Sequence, residues 1–221
     1  MTTLAPPPAQ VPRIAVLGAG HVGPVIAQVA IEAGYSVSIA ASRAPEQIEL
    51  IAQVLSPGAE PRWAADAVRD ADMVVLAIPL HTFTTLDPTL LAGKLVVDAM
   101  NYWPPVDGVV ELFEDHRYGS SEIVQHRLTR STVVKTLNHI GYHELADERR
   151  PAGSPERRAL GVASDDPAAV DVVADFIERI GYDAVRFDRL SAGRLLEPGG
   201  PVFGVSLQRS EFEQAVRAEV A

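Results

Sequence analysis

The sequence contains no cysteine, which excludes disulfides, a thiolate nucleophile and sites in which cysteine binds zinc or an iron–sulfur cluster. No uninterrupted apolar run reaches the roughly 18 residues that a membrane-spanning helix requires. Basic residues are also few, because 19 Lys and Arg stand against 29 Asp and Glu, a net charge of -10. Nucleic acids and anionic membranes attract basic surfaces, so we expect neither as a partner.

The chain has enough residues and apolar content to fold around one sizeable core, alone or with a smaller companion domain. It has 221 residues, of which 47% are hydrophobic. Residues 1–12 contain four prolines and lack the charged start and apolar middle of a signal peptide. We predict a disordered leader there, and the cytoplasm is the default compartment.

The most informative segment covers residues 14–43. It begins with the apolar run 14–17, continues through the turn Gly-Ala-Gly-His-Val-Gly at 18–23 into an apolar helix, and ends in a second strand. A G-x-G-x-x-G pattern that opens a helix directly after a strand is typical of dinucleotide-binding βα units. The spacing predicts such a unit here.

Each glycine of this turn has an expected role. Gly18 permits the tight turn, Gly20 lets the backbone approach a pyrophosphate, and Gly23 lets the helix pack closely on the strand. We predict that His21 and Val22, which lie between the last two glycines, also contact the cofactor.

The end of the second strand indicates which dinucleotide binds. A site for NAD usually has Asp or Glu there, about 20 residues after the glycines, to hold the ribose 2′-hydroxyl. This chain has Ser42 and Arg43, with no carboxylate before Glu46. A hydroxyl and a guanidinium suit the 2′-phosphate of NADP. Alternatively, Ser42 caps a helix that begins near Pro45 and Arg43 is only solvated, and the two interpretations are compatible.

Further apolar runs predict a doubly wound parallel sheet. They lie at residues 73–78, 95–99 and 132–137 and alternate with helical segments, including one at 121–130. We predict an NADP-binding Rossmann domain over 13–145, a charged linker loop over 146–158, and a small C-terminal α/β domain over 159–221. The basic residues 149, 150, 157 and 158 are expected in a solvated loop. A final helix over 210–220 is predicted to open with a capping box between Ser210 and Glu213.

Three loops follow apolar strands and should converge where an open α/β sheet binds its ligand. They contain residues 79–82, 100–103 and 138–143, with aromatic and polar side chains but no group of acids. His139 and His143 have a spacing that suits zinc on a helix, but Ile140 and Gly141 disfavour that interpretation, so no metal is predicted. Within the strands, Asp98 is expected to be a hydrogen-bonded structural acid. Lys135 is either a satisfied interior lysine or a group that reads a ligand phosphate.

With these segments located, the chain resembles the deazaflavin-dependent NADP reductases, which are NADPH:coenzyme F420 oxidoreductases. The matching stretches follow the same order over most of residues 13–204. They are the glycine turn with 41–43, then 75–79, 96–101, 133–138 and 191–197. The resemblance implies NADP(H) as cofactor, a deazaflavin or similar co-substrate in a pocket between the domains, and a homodimer.

The resemblance also implies roles for individual residues. Hydride would pass directly between two stacked rings, so the protein needs to orient them and requires no catalytic side chain. Ser42 and Arg43 would hold the 2′-phosphate. Ile78 and Pro79 would contact the nicotinamide ribose, and Asn138 with Ile140 would form the wall on which the rings stack. His81 and Ala99 are further candidates for cofactor binding, and Asn101 and His139 are further pocket candidates.

Two alternatives remain open. An imine or hydroxyacid reductase shares the N-terminal pattern, although such enzymes usually add a long helical domain, and only about 60 residues remain here. A sensor that binds NADP and regulates a partner without turnover would need no catalytic side chain either.

Overall fold

The computed structural model describes residues 12–115 and 117–220, apart from the side chains of Val106 and Val220. The predicted leader therefore lies outside the described residues, except for Pro12. Eight strands form one sheet: β1 Arg13–Leu17, β2 Ser36–Ala40, β3 Glu60–Pro61, β4 Met73–Leu76, β5 Leu95–Asp98, β6 Thr132–Lys135, β7 Ala159–Ala163 and β8 Asp183–Phe187. Their order across the sheet is β3-β2-β1-β4-β5-β6-β7-β8. All neighbouring strands are parallel except β6 and β7.

Helices cover both faces of this sheet. The α-helices in the described ranges are α1 Val22–Glu32, α2 Pro45–Leu55, α3 Ala64–Asp70, α4 Leu80–Phe83, α5 Pro104–Asp107, α6 Ser120–Arg127, α7 Tyr142–Asp147, α8 Pro167–Arg179 and α9 Arg209–Val220. Short 3-10 helices cover Pro88–Leu91, Glu111–Phe113 and Leu190–Leu196. Across residues 12–115 and 117–220, every helix is too short or too polar to serve as a membrane span.

The core lies on the two faces of the central strands. One cluster packs Val16, Val75 and Val97 against residues of α1 and α8, such as Ile26 and Phe176. The other packs the opposite side chains of the same strands beneath α3, α4 and α6. Because both faces are covered, β1, β4, β5 and β6 each contain two or more consecutive buried aliphatic residues, as is typical of parallel strands. The predicted doubly wound α/β fold is confirmed.

The C-terminal unit extends the same sheet. Strands β7 and β8 are parallel to each other, and β7 joins β6 in the antiparallel direction at the pair Lys135 and Ala163. Helix α8 connects them, and its N-terminus is capped by Asp166, whose carboxylate accepts hydrogen bonds from the amides of Ala168 and Ala169. A smaller C-terminal α/β extension is therefore present, as predicted. Helix α7 crosses residue 145, and the exact domain boundaries remain predictions.

Two local expectations are wrong. Arg157 and Arg158 are not in a solvated loop, because they are 6% and 4% exposed and pair with Asp183 and Glu148. The capping box of α9 does not involve Ser210. The helix begins one residue earlier, at Arg209. The amide of the preceding residue, Gln208, donates a hydrogen bond to the Glu211 carboxylate, and Gln208 also forms an antiparallel β-bridge with Arg158.

Candidate functional site

The glycine turn is folded tightly onto its neighbours. Gly18 has a φ of 130°, which glycine adopts readily, and its amide donates to the Ala40 carbonyl at 2.8 Å. A Cβ at Gly18 would lie 2.1 Å from the Ala77 oxygen, and one at Gly23 would lie 1.8 Å from the Gly18 oxygen. Neither position can accept a side chain without moving backbone, so these two glycines bring α1 close to the ends of β1 and β4.

Gly20 differs from its neighbours because a Cβ there would have no heavy atom within 4 Å. It is exposed at the tip of the turn, followed by exposed His21 as the N-cap of α1 and half-buried Val22 as its first residue. The His21 ring stacks on Tyr142, with centroids 5.6 Å apart. The fold therefore does not require glycine at residue 20, whereas close approach of a phosphate to this backbone would.

Ser42 and Arg43 lie exposed at the carboxyl end of β2, next to the glycine turn. Helix α2 has Ala44 as its N-cap, with Pro45 in its first turn and no capping hydrogen bond from a side chain. The interpretation of Ser42 as a helix cap is therefore wrong. Within the described part of the chain, the Arg43 side chain has no ion-pair or hydrogen-bond partner. Both side chains are accessible to a ligand.

The loop after β4 reaches the same edge. Ile78 is half-buried, and Pro79 is exposed as the N-cap of α4. The exposed His81 ring places Nδ1 3.9 Å from a carboxylate oxygen of Asp107 in α5. Ala99, after β5, is buried and donates its amide to the Leu76 carbonyl, so it lies beside the end of β4. These residues come together as the sequence predicts.

Two asparagines join the loops after β5 and β6. Asn101 Nδ2 donates to the Asn138 carbonyl at 2.6 Å, and Asn138 Nδ2 donates to Asn101 Oδ1 at 2.9 Å and to the Leu196 carbonyl at 2.6 Å. The 3-10 helix over Leu190–Leu196 is thus fixed to both loops. Ile140 is 8% exposed beneath this surface.

His139 is a core residue rather than part of an open pocket. It is 2% exposed, and its Nε2 accepts a hydrogen bond from the Gly161 amide at 3.0 Å. Nδ1 therefore carries the proton and donates to Asn138 Oδ1 at 3.2 Å. Burial, followed by the positive charges of Arg158 and Lys135, lowers the pKa of His139 to about 3. Its position has a structural cause, since the nitrogen satisfies a buried amide of β7.

His139 and His143 do not form a metal pair, because the first is committed to Gly161 and the second is exposed on α7. Among the residues that the structure describes, no group of three or more His, Asp or Glu side chains lies close enough to hold a metal ion.

A buried charged cluster lies behind the two asparagines. Lys135 Nζ, with a fully buried side chain, donates to the Met100 carbonyl at 2.6 Å and lies 3.4 Å from Asp98 Oδ2. Asp98 accepts hydrogen bonds from the Met100 amide and the Ser121 hydroxyl. Both residues are therefore interior groups that hold the loop after β5. This agrees with the expectation for Asp98, and for Lys135 it agrees with the interpretation as a satisfied interior lysine.

The sequence did not predict several residues that fix the loops after β5 and β6. Glu197 Oε1 accepts hydrogen bonds from both the amide and the hydroxyl of Ser120, which ties the C-terminal segment to α6. Leu137 has a φ of 64°, a conformation that usually costs a branched residue about 1–2 kcal/mol. Nothing in the local sequence marks that conformation, and the Leu137 side chain is 2% exposed within the core.

Comparison with known proteins identifies the nucleotide-binding part. Residues 13–102 match the family model described as "NADP oxidoreductase coenzyme F420-dependent". The resemblance predicted from the sequence is thereby confirmed over these residues, which are less than half of the chain.

Longer alignments cover almost the whole chain. The rat (Rattus norvegicus) protein "Metalloreductase STEAP3" is 24% identical over 197 residues, which are 88% of this chain but 38% of that relative. The chain thus spans well under half the length of this curated relative. A proposed F420-dependent NADP reductase from Arthrobacter sp. FB24 is 26% identical, with a TM-score of 0.69, covering 89% of this chain and 99% of its own.

Two more distant structures share the fold. The hypothetical protein SMa0349 from Sinorhizobium meliloti is 24% identical with a TM-score of 0.74, and the alignment covers 90% of this chain and 96% of that one. An imine reductase from Pseudomonas sp. is 19% identical with a TM-score of 0.54, covering 82% of this chain and 58% of its own. A large part of the imine reductase therefore lies outside the alignment with this chain.

Proposed function

We propose that this protein is an NADPH-dependent reductase that passes a hydride directly from nicotinamide to a deazaflavin such as coenzyme F420, or to a similar acceptor. The observation that carries the proposal is the arrangement of Ser42 and Arg43. Both are exposed at the end of β2, beside the open backbone of Gly20, and neither side chain has a partner among the residues that the structure describes. An acid at this position would repel a 2′-phosphate, whereas a hydroxyl and a guanidinium attract one.

The remaining contacts follow from the strand order. The carboxyl ends of β2, β1, β4 and β5 succeed one another along one edge of the sheet. An extended dinucleotide would then place its 2′-phosphate at Ser42 and Arg43, its pyrophosphate at residues 18–23 and its nicotinamide beside Ile78, Pro79 and His81. The N-terminus of α1 adds a favourable dipole for the pyrophosphate.

The chemistry at the far end of the groove needs little from side chains. When bound, NADPH supplies a hydride, which carries two electrons and one proton. The acceptor takes up one further proton from solvent. The protein has to hold two rings about 3–3.5 Å apart and exclude water. The paired amides of Asn101 and Asn138 give this end a fixed wall. We assign them to positioning and not to proton transfer.

The test is a calorimetric titration with NADPH and NADH, followed by an acceptor screen. We expect NADPH to bind at least about tenfold more tightly than NADH, since the 2′-phosphate adds a charge-assisted contact. Oxidation of NADPH should then be followed at 340 nm with coenzyme F420, FMN and a cyclic imine. Equal affinity for both dinucleotides would contradict the proposal. Tight NADPH binding with no turnover of any acceptor would favour the sensor.

Two further expectations, one implied by the resemblance and one the default compartment, are kept as part of this proposal. These are a homodimer and a cytoplasmic location. Light scattering at several protein concentrations tests the first, and fractionation of the producing cells tests the second.

A further inference from the structure

Two aromatic side chains that are 100 residues apart in the sequence meet at the carboxyl edge of the sheet. The rings of Trp103 and Phe203 have centroids 6.0 Å apart and planes inclined by 34°. Trp103 is 41% exposed, and Phe203 is half-buried. Such partly exposed aromatic pairs offer large apolar area at low conformational cost, which is typical of surfaces that bind a ligand.

Trp103 is held in place from the side of β4 and β5. Its amide donates to Asp107 Oδ2 at 3.0 Å, and the same carboxylate lies 3.9 Å from Nδ1 of His81 in the loop after β4. Trp103 also follows Asn101 by two residues. The indole therefore belongs to the part of the edge where the proposed function places the nicotinamide.

Phe203 is held in place from the side of β6. The next residue, Gly204, donates its amide to the His139 carbonyl at 3.0 Å, and the preceding Val202 is fully buried. The C-terminal segment thereby reaches the loop that contains Asn138. Together, the two aromatic residues span the ends of β5 and β6, which lie two and three strands from the glycine turn after β1. At about 4.8 Å per strand, this is roughly 10–15 Å along the edge from the end of β1. The two rings therefore lie on the nicotinamide side of the proposed groove.

We propose that Trp103 and Phe203 form an aromatic platform on which the planar ring of the hydride acceptor stacks. The proposal rests on the proposed function and deepens it, because it assigns the acceptor to conjugated heterocycles of flavin size rather than to small imines or carbonyls. A small substrate would need a donor of protons and a narrow pocket, whereas a conjugated ring gains its binding energy from stacking. The C4–H bond of the dihydronicotinamide would break, and its hydrogen and electron pair would form a new C–H bond on the acceptor ring. A solvent proton would complete the reduction, and the nucleotide would leave as NADP+.

The test compares four variants: Trp103→Ala, Phe203→Ala, Trp103→Phe and Trp63→Ala. Trp63 is the matched control, because it is the other tryptophan of the sequence, is 54% exposed and follows β3 instead of β5. With FMN and 5-deazariboflavin as acceptors, we expect either platform alanine to raise the acceptor KM about tenfold. The Kd for NADPH should not change. Trp103→Phe should recover most of the loss, and Trp63→Ala should behave as wild type.

A second readout does not depend on turnover. Stacking on an indole quenches the fluorescence of an isoalloxazine, so FMN added to the protein with NADP+ should lose fluorescence on binding. Trp103→Phe should bind FMN with much weaker quenching, and Trp63→Ala should quench fully.

The outcomes separate the two proposals. A wild-type acceptor KM in both Trp103→Ala and Phe203→Ala, together with full quenching in Trp103→Ala, would overturn the platform and leave the NADPH reductase intact. Failure of wild-type protein to bind NADPH would instead overturn the proposed function. If the protein binds NADPH and reduces an imine but none of the planar acceptors, the platform proposal is wrong while the reductase assignment survives. Circular dichroism confirms that each variant is folded.

Discussion

The two ends of the proposed cofactor groove are built in different ways. At the adenosine end, Gly20, Ser42 and Arg43 are exposed, lie within 24 residues of one another, and serve no described contact of the fold. At the nicotinamide end, Asn138 and Lys135 are buried and bond to groups 35 to 58 residues away in the chain. The residues of the adenosine end are available for a ligand and are not needed for the stability of the fold. The residues of the nicotinamide end contribute to the stability of the fold as well as to the proposed site.

This difference has a physical basis. A phosphate is recognised by amides and a cation that remain hydrated until it binds, so they must be exposed. A ring that receives hydride must be positioned within fractions of an ångström, which requires a rigid wall fixed by buried hydrogen bonds. Substitutions at the first end should change affinity alone, and substitutions at the second should change stability as well.

The largest expected effect is at the buried end. Lys135→Met should lower the free energy of unfolding by about 3–5 kcal/mol, because it leaves the Asp98 carboxylate, 1% exposed, without its cation. Urea unfolding measures this loss. The double variant Lys135→Met with Asp98→Asn should be more stable than the single variant, since no buried charge remains. A single variant as stable as wild type would mean that the cluster does not hold the wall.

At the exposed end, Gly20→Val should weaken NADPH binding at least about 100-fold, or about 2.7 kcal/mol. The side chain would occupy the space through which a phosphate approaches the backbone. Stability should not fall, because a Cβ at Gly20 has no neighbour within 4 Å. Calorimetric titration and thermal unfolding test both parts.

Two matched substitutions sharpen that result. Gly23→Ala should instead destabilise the protein, because its Cβ would lie 1.8 Å from the Gly18 oxygen. Ala65→Val, at an exposed position of α3, should leave affinity unchanged. A Gly20→Val protein that binds NADPH normally would remove the turn from the site.

Arg43→Ala should raise the Kd for NADPH about tenfold or more and leave the Kd for NADH unchanged. One charge-assisted phosphate contact contributes about 1.5–3 kcal/mol, and NADH has no 2′-phosphate. Isothermal titration with both dinucleotides measures the difference. Arg130→Ala, at another exposed arginine, is the control and should bind both as wild type does. Equal losses for NADPH and NADH would contradict the assignment.

The smallest effect concerns pH. Burial lowers the pKa of His139 to about 3 from 6.5, so the folded protein keeps the ring neutral while the unfolded chain takes up a proton below 6.5. Stability should therefore be unaffected above pH 6.5 and should fall by about 1.4 kcal/mol per pH unit below it. Urea unfolding at about pH 7 and pH 5.5 measures the slope. His139→Gln should have a shallower one, and an identical slope would show that His139 is not responsible.

The nucleotide-binding unit could be predicted from the sequence in detail. The apolar runs at 73–78, 95–99 and 132–137 contain β4, β5 and β6, and the glycine turn, Ser42 and Arg43 lie where their order indicates. The loops after β4 and β5 also converge as expected, since carboxyl ends of parallel strands share one edge. The opposite wall was not predictable to this extent. His139 follows a strand in the same way as the pocket candidates do, so the sequence does not distinguish it from them. It is a core residue because its ring accepts a hydrogen bond from the Gly161 amide in β7.

Local sequence by itself determined the fold class, and it also carries the prediction of the nucleotide preference. Each of these predictions depends on a local pattern: the spacing of apolar residues, the spacing of the glycines, or the side chains directly after β2. Such patterns extend over fewer than about 30 residues, so they can be recognised in the sequence alone. Only the tertiary structure decided that Arg157, Arg158 and His139 are buried, that Glu197 holds Ser120, and that Trp103 meets Phe203. Those contacts join residues far apart in the chain, and which of them form depends on how β7, β8 and the C-terminal segment pack against the completed sheet.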